Sequence, residues 1–140
     1  MADIGDVRCY IHSSVVGRGK LKGYAFLFTD DRLIGVKDYC EGVFHGVAPW
    51  DETGAKYVTR LLGKVDAEWP YAAITRVGVT KEPGRFKPGK LTIESAGGTD
   101  EFSITGSFGG FPGAEVAELL LTAFDQYAPG RAYRSAEAGE

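Results

Sequence analysis

The sequence has few of the residues that mark metal-binding and disulfide-stabilised proteins. It contains two cysteines, Cys9 and Cys40, in 140 residues. Without a Cys-x-x-Cys pair they predict reduced thiols rather than a disulfide framework. The two histidines, His12 and His45, have no partner at ligand spacing. We therefore expect no metal site and no cofactor.

Long apolar runs and a strong excess of charge are also missing. No stretch approaches the ~20 apolar residues of a membrane-spanning helix. Residues 1–6 are acidic and lack the apolar core of a signal peptide. The net charge of −3 creates no positive field that would attract nucleic acid. These absences predict a soluble, cytoplasmic protein with no nucleic-acid partner.

Glycine, in contrast, is plentiful. The chain has 20 glycines in 140 residues, about twice the usual ~7% share. Such an excess favours short strands joined by tight turns over long helices. In the strand at 24–29, Tyr24, Phe26 and Phe28 share one face. The strand-prone segments are residues 9–16, 24–29, 32–37 and 74–80.

The C-terminal half has the clearest pattern. Residues 90–95 and 100–106 alternate around a Gly97-Gly98 turn and predict an antiparallel hairpin. Residues 114–127 have apolar side chains at helical spacing, and residues 131–140 are expected to form a flexible tail. The inward-facing hairpin positions are Leu91, Ile93, Phe102 and Ile104, and the outward-facing ones are Thr92, Glu94, Glu101 and Ser103.

The segment from residue 40 to residue 56 is predicted to be an irregular, apolar insert. Its large apolar residues either fold over the sheet as additional core or form an exposed association patch, and the sequence favours neither. Residues 57–62 have helical spacing and Gly63 is a candidate C-cap, although a strand through the same residues fits nearly as well. The candidate protein-interface residues are Val43, Phe44, Val47 and Trp50.

Two segments have a characteristic order of residues. Residues 23–34 run from a glycine through an apolar strand to a Thr-Asp turn and Arg-Leu-Ile. Residues 69–77 place Trp-Pro-Tyr and an isoleucine before a strand. With the hairpin and closing helix, this order resembles bacterial pleckstrin-homology-like (PH-like) and GRAM-like domains over most of residues 9–127.

The length of 140 residues is usual for one domain, and we expect a single PH-like domain over residues 1–130. Its fold would be mainly β: an antiparallel barrel or sandwich of about seven strands capped by one C-terminal helix. The resemblance also implies non-catalytic work, namely binding of phosphoinositides, peptides or proteins, or self-assembly. We expect an interaction module that binds a protein partner or itself through the insert and an open sheet edge.

The alternative is weak peripheral binding to an anionic membrane. Two loops, within residues 8–22 and 81–90, are rich in cations. Each lysine or arginine near such a surface contributes ~1 kcal/mol, and the two loops would act together only on a shared rim. The candidate residues for anionic lipid are Arg18, Lys20, Lys22, Arg85 and Lys87.

An enzyme or a closed small-molecule carrier is the third class. No spacing in the sequence indicates a nucleophile and base within hydrogen-bond reach, so we expect no catalytic residues. A cluster of His12 or His45 with carboxylates inside a pocket would favour this class. The glycine-rich residues 106–113 lack the Gly-Lys-Ser/Thr ending of a phosphate-binding loop and predict a connector.

Overall fold

The structure is a computed structural model, and it describes residues 4–19, 21–39, 42–83, 87–105 and 113–134. Within those residues it contains nine β-strands and two α-helices. The strands are β1 (Val7–Arg18), β2 (Leu21–Thr29), β3 (Arg32–Lys37), β4 (Val43–Val47), β5 (Val65–Pro70), β6 (Ile74–Lys81), β7 (Gly89–Ser95), β8 (Gly98–Ile104) and β9 (Ala132–Arg134). The helices are α1 (Glu52–Leu62) and α2 (Gly113–Tyr127), and a 3-10 turn spans Tyr71–Ala73.

All of these strands belong to one sheet, in which β1 is the longest. The order of hydrogen-bonded neighbours is β5-β3-β2-β1-β8-β7-β6-β9, and β4 pairs with β1 beside this path. One edge of β1 pairs with β2. On the other edge, residues 9–13 pair with β4 and residues 16–17 pair with β8. The sheet therefore stays open, with β5 and β9 at the two ends of the path.

The strands confirm the predicted class of fold and correct its details. The protein is mainly β and has a C-terminal helix, as predicted. The prediction of a barrel or sandwich of about seven strands is wrong, because the described residues form nine strands in a sheet that does not close. The strands that the sequence pattern did not locate are β4, β5 and β9.

The two helices cover opposite faces of the sheet. Side chains alternate between the faces of a strand, and Tyr24, Phe26 and Phe28 share one face as predicted. On that face they pack with Phe124 of α2 in the larger core cluster. Leu27 points to the other face, where it packs with residues of α1. Because both faces are covered, the described side chains of β2 are all buried.

The hairpin of β7 and β8 has the predicted alternation of buried and exposed side chains, with one exception. Thr92, which the alternation assigns to the solvent face, is only 7% exposed. Its hydroxyl lies 3.1 Å from the hydroxyl of Thr80, so the buried polar atom has a partner. The four positions that are buried as predicted are Leu91, Ile93, Phe102 and Ile104.

The segment expected to be irregular is largely regular. It contains β4 and the first turn of α1, joined through a cis Ala48-Pro49 peptide. The carboxylate of Asp51 accepts a hydrogen bond of 2.6 Å from the backbone N–H of Gly54, an N-cap that satisfies a free helix donor. The helical interpretation of residues 57–62 is confirmed, and Gly63 is the C-cap.

The segment expected to be a flexible tail also contributes to the sheet. Residues 132–134 form β9, which pairs in parallel with residues 77–79 of β6. Residues 135–140, and the glycine-rich connector up to residue 112, lie outside the described residues.

Candidate functional site: the edge of strand β4

The four predicted interface residues lie together. Val43, Phe44 and Val47 belong to β4, and Trp50 lies between β4 and α1. Val43 packs against the larger core and Trp50 against the smaller one. Phe44 is 44% exposed and Val47 is 67% exposed. The sequence left open whether these residues are additional core or an exposed patch. The structure divides them, since Val43 and Trp50 pack against the cores and Phe44 and Val47 are exposed.

Aromatic side chains hold β4 against α1. The ring centroids of Phe44 and Tyr57 are 5.5 Å apart, those of Tyr10 and Tyr57 are 5.2 Å apart, and those of Tyr10 and Trp50 are 5.5 Å apart. A Cβ at Gly46 would lie 3.0 Å from the Tyr10 ring, so the absent side chain makes room for this contact. Tilted pairs at these distances add stability beyond the area that they bury.

A buried histidine lies behind this aromatic cluster. The ring of His12 has no exposed surface, and its Nε2 lies 2.5 Å from the carbonyl oxygen of Asp38. A carbonyl only accepts, so Nε2 carries the proton and Nδ1 of the neutral ring accepts from the Tyr57 hydroxyl. Burial lowers the pKa of His12, and the nearby Arg60 cation lowers it as well. Asp38 partly opposes this change and is itself paired with Arg60 and Lys64.

Within the described residues, the backbone of β4 has one edge paired with β1 and one free edge, which pairs with no strand. Ser14 N–H donates to the Gly42 carbonyl at 3.0 Å, and Ala48 N–H donates to the Arg8 carbonyl at 2.9 Å. In an antiparallel ladder, hydrogen-bonded pairs alternate with non-bonded pairs, so the even-numbered residues of β4 face β1. The N–H and C=O groups of Val43, His45 and Val47 therefore point away from β1. Within the described residues, β4 pairs with no other strand.

Two concave regions meet beside this free edge. One, of about 830 Å³, lies between Val47, Trp50 and the C-terminal end of α2 at Tyr127. The other, of about 290 Å³, lies between β4 and the preceding turns of α2. Val47 and Gln126 line both regions. The two regions therefore adjoin each other at Val47 and Gln126, and we call them together the β4 groove.

The β4 groove contains polar groups but no nucleophile paired with a base among its described residues. His45 lines it together with Glu115 and Glu118 of α2. Glu118 is held by Arg134 at 2.6 Å, and no hydrogen bond joins His45 to either carboxylate in the described part of the chain. Burial raises the pKa of Cys9 on the groove floor to about 11, so this thiol stays protonated at neutral pH.

The other two edge strands differ from β4 in composition. β5 carries Asp66, Glu68 and Pro70, and β9 is only three residues long and ends in Arg134. Charges, proline and short length are the devices by which natural sheets prevent edge-to-edge pairing. β4 reads Val-Phe-His-Gly-Val and contains no Asp, Glu, Lys, Arg or Pro.

Three of the five predicted lipid-binding cations, Arg18, Lys22 and Lys87, lie within the described residues. Arg18 lies between the carboxylates of Asp66, at 2.6 Å, and Asp100, and Trp69 Nε1 also donates to Asp100. Lys22 belongs to β2 and Lys87 is exposed. The other two candidates, Lys20 and Arg85, lie outside the described residues.

The strand register separates the two basic loops. Arg18 contacts Asp100, which lies towards the β7–β8 turn. Gly89, where the second loop ends, pairs with Ile104 at the opposite end of β8. The described ends of the two loops, Arg18 and Gly89, therefore lie at different levels along β8.

Sequence reasoning missed the residues that support the site. Tyr10, His12 and Tyr57 form its inner wall, although Tyr10 and Tyr57 lie 47 positions apart in the chain. In the sequence, only the helical spacing around Tyr57 indicated any part of this supporting group. No protein-family model matches the chain, and no curated protein matches it. Within the described residues, no helix is long and apolar enough to cross a membrane.

Proposed function

We propose that this protein is a non-catalytic interaction module that binds an extended protein segment along the free edge of β4. The observation that supports this most strongly is the contrast between edges. β5 and β9 carry charges or are very short, whereas β4 presents five uncharged residues with Phe44 and Val47 exposed. Binding is also the usual work of the PH-like domains that the sequence resembles.

The mode of binding follows from the geometry of the edge. An added strand would receive backbone hydrogen bonds from Val43, His45 and Val47, which supply affinity without regard to sequence. Its alternate side chains would point into the β4 groove, where the apolar surfaces of Val47 and Leu119 select for apolar residues. The segment comes either from a protein partner or from a second copy of this chain.

Peripheral membrane binding is the weaker alternative. Arg18 already has two carboxylate partners, and it lies at a different level of β8 from Gly89, where the second basic loop ends. Flotation with anionic vesicles at low salt should therefore recover little protein. Strong, salt-sensitive flotation would favour the membrane over the β4 edge, because charge-driven binding weakens with ionic strength.

The test of the proposal uses a phage-displayed library of short random peptides selected on the purified protein. We expect the selected peptides to share alternating apolar positions, and to shift the NMR signals of residues 43–47 and of the facing residues of α2. Peptides that shift only signals elsewhere would contradict the proposal.

Two substitutions at one position provide the matched control. His45→Pro removes an outward N–H and leaves the bonds to β1 intact, since proline is tolerated at the solvent side of an edge strand. His45→Ala removes the imidazole but keeps the N–H. Binding lost in the proline variant and retained in the alanine variant supports strand addition. Equal binding by both variants would show that the backbone edge is not used.

A further inference from the structure

The free edge of β4 is complementary to itself. Its sequence, Val43-Phe44-His45-Gly46-Val47, has valine at both ends and histidine at the centre. If two copies lie antiparallel about a two-fold axis through His45, each Val43 is opposite Val47 of the second copy. Each Phe44 is then opposite Gly46 of the second copy. The large ring thus meets the residue with no side chain, and the two valines meet each other.

The backbone follows the same symmetry. In the register centred on His45, the residues that meet are Val43 with Val47 and His45 with itself. These are the three residues whose N–H and C=O groups point away from β1. Each strand therefore offers three donors and three acceptors that all find partners. If one strand slid by one residue, the outward N–H and C=O groups of each copy would lie opposite residues whose own groups already bond to β1.

Charge agrees with this arrangement. β4 carries no carboxylate, ammonium or guanidinium group, so two copies approach without repulsion along the strand. Glu115 and Glu118 line the same groove as His45, and the charge of Glu118 is balanced by its ion pair with Arg134. A charged residue anywhere in β4 would be duplicated by symmetry and would oppose pairing.

We infer that the segment bound by β4 is the β4 strand of a second copy, forming an antiparallel homodimer whose two-fold axis passes through His45. This inference rests on the proposed function and names its partner. The sheets of the two copies become continuous across the contact, which is isologous as in most homodimers. Because only five residues of each chain pair, the dimer is expected to be weak and dependent on concentration.

Sedimentation equilibrium of the unmodified chain over a wide range of concentration is the first test. We expect a reversible monomer–dimer equilibrium. His45→Pro removes two of the bonds across the axis and should weaken association roughly 10- to 100-fold, while His45→Ala should change it little. A chain that stays monomeric at every concentration overturns the inference.

Disulfide trapping tests the register. Two residues in a hydrogen-bonded antiparallel pair have Cα atoms about 5.5 Å apart, within the range that a disulfide spans. In a Cys40→Ala background, H45C should therefore form a covalent dimer under mild oxidation. The matched control is V47C, at an equally exposed position, where the two introduced thiols would be about 14 Å apart. Equal trapping at both positions would contradict the two-fold axis at His45.

The two proposals fail in different ways. Selected peptides that bind the β4 edge of a chain that never dimerises would leave the proposed function standing and exclude the second copy as partner. Dimers that persist unchanged in His45→Pro would exclude the β4 edge for self-association. If neither peptides nor a second copy use this edge, the proposed function itself is wrong.

Discussion

β4 and β9 are both short strands added to the edge of another strand, but they end the sheet differently. β9 lies against β6 with specific side-chain contacts. Arg76 lies 3.9 Å from the centre of the Tyr133 ring, and Arg134 pairs with Glu82 and Glu118, at 2.6 Å each. These contacts hold three residues in place, and the strand ends in the charged Arg134.

β4 is also held firmly on its inner side, but its outer side carries no charge. Its inner side is well held, through the ladder with residues 9–13 of β1 and the rings of Tyr10 and Tyr57. Its outer side has exposed Phe44 and Val47 and no charge. The comparison shows that an edge strand can be firmly attached to its sheet and still be able to pair with another strand. Attachment depends on the side of the strand that faces the sheet, and protection against further pairing depends on the outer side.

The largest effect on this comparison is expected from Gly78→Val, which should detach β9. A Cβ at Gly78 would lie 2.2 Å from the carbonyl oxygen of Tyr133. The added side chain would therefore occupy space that β9 needs, and β9 could not keep its position against β6. We expect the free energy of unfolding to fall by about 1–3 kcal/mol, measured by urea denaturation. Lys81→Val, at an exposed position of β6, is the control and should cost less.

A truncated chain shows whether the clash is the cause. In a protein that ends at residue 131, β9 is absent and Gly78→Val should cost little, because the two changes remove the same contact. An equal loss in the full-length and truncated chains would mean that Gly78 is required for another reason, and that β9 contributes little to stability.

Acid pH should destabilise the region of β4 and α1 more than the region of β9. His12 is buried and neutral, and the groups that face it are Tyr57, Asp38, Arg60 and Lys64. Because its pKa is lowered by folding, the folded chain binds fewer protons than the unfolded chain below the ordinary value of 6.5. This contribution to stability is complete above about pH 6.5 and is lost as the pH falls towards the lowered pKa.

The measurement is the free energy of unfolding as a function of pH, with two variants. His12→Gln removes the titrating ring, and its stability should fall less steeply below about pH 6.5. His45→Gln replaces the other histidine, which is exposed, and is the matched control. Amide exchange should rise first in β4 and α1, and later in β9. Identical slopes in all three proteins would contradict a neutral buried His12.

The sequence predicted the elements whose own periodicity is strong. The alternation at 24–29 and in the β7–β8 hairpin, and the helical stripe of α2, depend on residues close together in the chain, and the structure contains all three. β4 and β9 are different, because their five and three residues gain strand conformation only by pairing with β1 and β6. Such tertiary pairing leaves no local signal.

The same limit applies to the candidate site. The apolar excess at Val43, Phe44, Val47 and Trp50 was sufficient to identify the segment, but not to divide it between core and surface. That division depends on Tyr10 and Tyr57, which approach it only in the folded chain. Arg18 shows the converse, since its loop position predicted a free cation and its partners Asp66 and Asp100 come from distant strands.

The smallest change in stability is expected from Val47→Lys, which gives β4 the kind of protection that the other edges have. Val47 is 67% exposed, so the free energy of unfolding should change by no more than about 0.5 kcal/mol. Association should weaken strongly, because the two-fold axis brings two lysines into the same short interface and a charge on an edge strand opposes pairing. Urea denaturation and sedimentation equilibrium on the same preparation separate the two effects. If stability and association fall together, β4 requires Val47 for its own attachment, and the distinction between an attached side and an open side does not hold for this strand.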